Sequence, residues 1–70
     1  MNYIYNRNTD SKGNHEVHTT TCSYVPQSSN QVKIVGNFDS CKEAIKKAEL
    51  QSGKTNFDGC YHCSYPCHKG

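Results

Sequence analysis

No apolar run in this chain approaches the ~20 residues that a membrane-spanning helix needs. The opening stretch, "MNYIYNRNTDSKGNH", also lacks the basic segment followed by an apolar one that marks a secretory signal. Apolar residues are few, at 33% of a 70-residue chain. The formal charge is only +2, too weak by itself to imply a nucleic-acid partner. Internal repeats and low-complexity tracts are missing. These absences lead to the expectation of one cytoplasmic domain, monomeric, with no membrane contact. They also imply a core too lean to stand unaided, since short chains bury a modest fraction of their surface. Scaffolds of this size usually add a metal, disulfides or a partner chain.

What the chain does hold is cysteine, five in all. Three of them fall in the tail "CYHCSYPCH", Cys60 to His68, together with His62 and His68. An odd number cannot pair completely within one chain. In a reducing compartment, clustered cysteines mean metal or redox chemistry more often than stable disulfides. A metal is therefore the favoured staple, with one bound zinc and five free thiols as the expected inventory.

The local patterns place these residues on a small α+β scaffold. "NYIYNRN" reads as a strand over about residues 2–7, followed by a glycine-containing turn. "HEVHTTTCSYV" continues as a second strand, about 15–25, and makes a hairpin with the first. After the loop "PQSSNQ", a third strand covers about 32–35. "DSCKEAIKKAEL" carries the clearest signal. Ser40 followed by Glu43 has capping-box spacing, and Cys41, Ala44, Ile45 and Ala48 recur on one helical face. Gly53 is a stop signal. A helix over about 40–51 then leads through the loop "SGKTNFDG" to the tail, 59–68. The expected architecture is a small antiparallel sheet of about three strands with one helix, zinc-stabilised.

Two half-sites carry the metal chemistry: His18 and Cys22 in "HTTTC", and Cys60 and Cys63 in "CYHC". Zinc favours four thiolate or imidazole donors arranged as short pairs separated by a long insert. A two-residue gap wraps the backbone round one ion, and the distant pair closes the domain. On a straight strand His18 and Cys22 would stand ~13 Å apart, so the site requires a bend at Thr19 to Thr21. His15, Cys41, His62, Cys67 and His68 also qualify as ligands by type. Cys67 is the main rival, because "CxxxC" could join Cys60, Cys63 and Cys67 with Cys22. His18, Cys22, Cys60 and Cys63 are the preferred set, with Cys67, His68 and Cys41 as alternates.

The series His18, Cys22, Phe38, Ser40, Glu43, Ala44, Cys60 and Cys63 resembles the zinc domain of Ada-type DNA methyl-phosphotriester repair proteins. That family binds one zinc through "CxxxC" and "CxxC" around a short strand and helix. The wider pattern, "HEVHTTTC" with "CYHCSYPCH", is similar to a group of small bacterial proteins with no known activity. The resemblance implies a zinc fold. It does not carry methyl transfer, because the accepting thiolate of the repair family aligns with His18, and an imidazole cannot take that role. "CSYVPQSSNQ" also lacks the basic residues that would grip DNA.

Other readings are weaker in kind. "HEVH" has its histidines three apart, not four as on a zinc-peptidase helix, so His15 is expected at the surface or behind a ligand. Cys41 is read first as a small buried hydrophobe. The alternatives are a thiol activated by the helix N-terminus or a partner for Cys67. Tyr3, Tyr5 and Arg7 share a strand face that could stack on single strands, although tyrosines filling a lean core explain them better. No catalytic set is visible. The expected role is a non-enzymatic binding module for protein or nucleic acid, with thiol redox activity or a secreted disulfide mini-protein as alternatives.

Overall fold

The structure is a computed structural model that describes residues 1–69. Its elements are β1 (Tyr3–Thr9), β2 (His15–Thr19), β3 (Gln31–Ile34), α1 (Cys41–Ser52) and β4 (Phe57–Gly59). Single 3-10 turns sit at Ser28–Asn30 and Tyr65–Cys67. The class is α+β, as the sequence implied, but the sheet has four strands in the order β3-β1-β2-β4. β1 pairs antiparallel with both β2 and β3, whereas β4 runs parallel to β2. The sheet is therefore mixed. β4 lies in the stretch that reads as loop, because three residues, two of them Asp58 and Gly59, display no alternation of apolar and polar positions.

β3 and β4 occupy opposite edges, so the chain between them must cross the sheet, and α1 makes that crossing. It covers one face, where Tyr3, Tyr5, Val17, Ile34 and Phe57 meet Cys41, Ala44 and Ala48 in a single buried cluster. Tyr3 and Tyr5 are thus core residues, not a nucleic-acid stripe, and only Arg7 of that trio is exposed. Tyr5 and Phe57 meet edge-on at 5.1 Å, an arrangement that favours aromatic packing beyond the area it buries.

The helix ends follow their sequence signals. The Ser40 Oγ accepts from the Glu43 N–H at 3.3 Å, and the Glu43 carboxylate reaches back to the Asp39 N–H at 3.4 Å. Gly53 takes a left-handed conformation, φ 73°, which residues with a Cβ adopt only at a cost. Leu50 departs from the helical pattern. It is 82% exposed, because it lies outside the arc formed by Cys41, Ala44 and Ala48.

β2 stops at Thr19, short of the expected residue 25. The Cys22 N–H then donates to the Thr19 carbonyl at 3.1 Å and the Val25 N–H to that of Cys22 at 3.4 Å. This is the bend that the His18–Cys22 spacing demands, and it leaves Tyr24 and Val25 in a loop.

Candidate metal centre

β2 alternates its side chains between the two sheet faces. His15 and Val17 enter the helix-covered core, while Glu16 and His18 share the opposite face. His15 is consequently buried, neither at the surface nor behind a ligand. Its Nδ1–H donates to the Asn6 carbonyl at 2.8 Å, and its ring packs on Tyr5 and Phe57. His18 stands at the end of β2, and the parallel pairing with β4 brings the tail to it. The Cys60 N–H donates to the Val17 carbonyl at 2.9 Å, which continues the β2–β4 ladder by one step. The Ser64 N–H then closes a turn on the Cys60 carbonyl at 2.8 Å, and Cys63 swings toward the end of β2.

The result is that the donor atoms of His18, Cys22, Cys60 and Cys63 all lie within 4.8 Å of one another. Cys22 Sγ and Cys60 Sγ are 3.9 Å apart, as are Cys63 Sγ and His18 Nδ1. Donors on a tetrahedral zinc ion would be separated by about 3.5–3.8 Å. The cluster is therefore close to the dimensions of a four-coordinate ion, and its three sulfurs and one imidazole suit a borderline-soft divalent metal. Such a Cys3His set could hold one metal ion.

The groups behind the donors fit the same purpose. The Thr19 N–H points to Cys63 Sγ and the His62 N–H to Cys60 Sγ, both at 3.4 Å. Backbone donors of this kind stabilise sulfur in its thiolate form. His18 turns Nδ1 to the cluster, and its Nε2 lies 3.2 Å from the Glu16 carboxylate. A carboxylate on the far nitrogen of a ligating histidine fixes its tautomer and orientation. Glu16 went unnoticed in the sequence, although its position two residues before His18 on one strand is the signal that could have found it.

Burial and partners also separate the protonation of these groups. Burial holds His18 below the ordinary histidine value, so its imidazole is neutral near pH 7 and free to bind a cation. Burial, together with the neighbouring thiols, pushes the Cys22 thiol up to about 11. Burial acts in the same sense on Cys63, but the Thr19 N–H, the Ser64 hydroxyl and the thiols of Cys22 and Cys60 outweigh it, leaving that thiol below its ordinary value. Burial also raises Glu16, helped by the negative charges of Asp10 and Asp58.

The alternate ligands lie elsewhere. Cys41 and Cys67 form a disulfide across 26 residues of sequence. This corrects the expectation of five free thiols and the reading of Cys41 as an unpaired buried hydrophobe. The helix's first residue and the tail's 3-10 turn are packed side by side, and that contact joins the two sulfurs. Cys22, Cys60 and Cys63 remain unpaired. The His68 Nδ1–H donates to the Gly59 carbonyl at 3.1 Å, away from the cluster. The His62 ring stacks on Tyr24 at 3.9 Å, tying together the two loops that supply the ligands.

No protein-family model, curated protein or solved structure matches the chain. The likeness to Ada-type domains accordingly rests on the spacing of a few residues and brings no family with it.

Proposed function

We propose that this protein is a zinc-stabilised, non-enzymatic binding module, with His18, Cys22, Cys60 and Cys63 holding one structural ion. The observation that carries the reading is the convergence of those four donors, with Glu16 behind His18. Four protein ligands fill a tetrahedral zinc ion and leave no position for water or substrate. The metal's contribution is then to join the end of β2 to the tail. A cytoplasmic setting belongs to the same reading: reducing conditions keep Cys22, Cys60 and Cys63 available to the metal, and they act on the Cys41–Cys67 disulfide too, so that bond marks the oxidised form of the chain.

The surface for a partner would lie on the outside of the metal loops. Tyr24, Tyr61 and Tyr65 are each more than half exposed, and Tyr61 sits at the centre, edge-on to His62, Tyr65 and His68. Exposed tyrosines supply rigid contact area to protein partners and stacking platforms to unpaired bases. Zinc titration of the metal-free chain, followed by amide spectra, tests the structural role. Native dispersion should appear at one equivalent, and a native spectrum without metal would refute it. Adding single-stranded DNA to the folded protein separates the partner classes. Shifts at Tyr24, Tyr61 and Tyr65 that vanish in moderate salt would select nucleic acid, and an unchanged spectrum would exclude it.

A further inference from the structure

The Cys41–Cys67 disulfide borders an open cavity of about 740 Å³ between the first turns of α1 and the tail. Its two sulfurs are not equivalent. Cys41 is buried, 6% exposed, while Cys67 is half-buried. Cys41 is also the first residue of a 12-residue helix. The Glu43 N–H of that first turn is taken by Ser40, whereas the N–H groups of the residues before it have no acceptor within the helix. A thiolate released at this position is stabilised by those donors and by the helix dipole.

The cavity has a charge of its own. Lys42, Lys46 and Lys69 line it, against Asp39 and Glu49. Among the described residues no ion pair engages the three ammonium groups. The excess of cations favours an incoming group that carries negative charge.

We infer that Cys41–Cys67 is a thiol–disulfide exchange site for small anionic thiols, which attack at Cys67 and expel Cys41. In the first step the thiolate of the incoming molecule bonds to Cys67 Sγ. The Cys41–Cys67 bond breaks and its electron pair leaves on Cys41 Sγ. In the second step another thiolate attacks the incoming molecule's sulfur in the mixed disulfide and frees Cys67. Two thiols are oxidised to one disulfide, the protein's disulfide gains two electrons, and Cys41 and Cys67 take up the two protons. The reaction is a stoichiometric modification, not turnover. It does not require the metal reading, since neither cysteine belongs to the cluster.

The test uses protein purified without chelator or reductant, treated with glutathione, quenched with acid and alkylated for peptide mapping. Metal content and circular dichroism are followed in parallel. Cys41 and Cys67 should become reactive while the fold persists, and mixed disulfide should accumulate on Cys67. Per thiolate, glutathione should react about tenfold faster than the cationic thiol cysteamine. Lys42→Glu with Lys46→Glu, both on the exposed helix face, should reverse that preference. Reduction only upon loss of the folded spectrum, or adduct on Cys41, would overturn the site. Equal rates for the two thiols would overturn the anionic class. Exchange in a folded but metal-free sample would support this inference while refuting the zinc proposal.

Discussion

Glu16 shows how much of the site depends on a residue that binds nothing directly. Its carboxylate faces the far nitrogen of His18, so Glu16→Gln should leave the fold intact and weaken zinc binding by about 10–100-fold. Competition with a chromophoric chelator measures this, and an unchanged affinity would show that the Glu16–His18 contact orients nothing. Gly59 has a different task. A Cβ there would approach Cys67 Cβ to 2.6 Å and the Ser64 carbonyl more closely still. Gly59→Ala should therefore cost about 1–3 kcal/mol through overpacking, read as a lower midpoint in denaturant. The four donors were legible because ligand type and spacing are chemical signals that survive without a fold. Glu16 and Gly59 were not, since their roles exist only once β2 is paired with β4 and the tail is folded over it.

At the scale of elements, α1 was the most readable part, because its cap, its apolar arc and its stop glycine all lie within one continuous stretch. Ser40→Ala removes the acceptor for the Glu43 N–H and should destabilise the protein by about 1 kcal/mol. Urea denaturation would detect this, and a loss below a few tenths would mean that the Asp39–Glu43 half of the cap is sufficient. The hairpin of β1 and β2 was visible for the same reason, being local in sequence. β4 was hidden by its brevity and by its partner, β2, which is some 40 residues away and parallel to it. The Cys41–Cys67 pairing was visible only as one alternative, ranked behind a buried free thiol, because sequence can count cysteines but cannot rank their connectivities.

For the whole molecule, magnitudes decide which staple dominates. A domain of 70 residues has a total stability of roughly 3.5–10 kcal/mol. A disulfide closing a 26-residue separation contributes about 3–4 kcal/mol. A structural zinc contributes about 10–16 kcal/mol at pH 7, more than the net stability. Removing the metal should therefore unfold the chain even with Cys41–Cys67 intact, and alanine at His18, Cys22, Cys60 or Cys63 should do the same. Acid should act through the same site. Burial depresses the folded-state value of His18, so its stabilising effect is present above its unfolded value of about 6.5 and is lost as pH falls below that. In the unfolded, metal-free chain the Cys22 thiol has its ordinary value of about 8.5, so zinc binding near pH 7 must release at least the Cys22 proton. Affinity should climb about tenfold per pH unit for each proton released. Affinity that stays flat between pH 6 and 8 would remove Cys22 from the ligand set.

The central claim is that one ion joins His18, Cys22, Cys60 and Cys63 while Cys41 and Cys67 pair beside it. Native mass spectrometry of protein purified without chelator or reductant addresses it directly, followed by denaturation, alkylation and peptide mapping. The account predicts one zinc per chain, alkylation at Cys22, Cys60 and Cys63, and a peptide pair linked through Cys41 and Cys67. A metal-free chain with Cys22 bonded to Cys60, whose sulfurs already lie 3.9 Å apart, would contradict it and make the cluster a second disulfide.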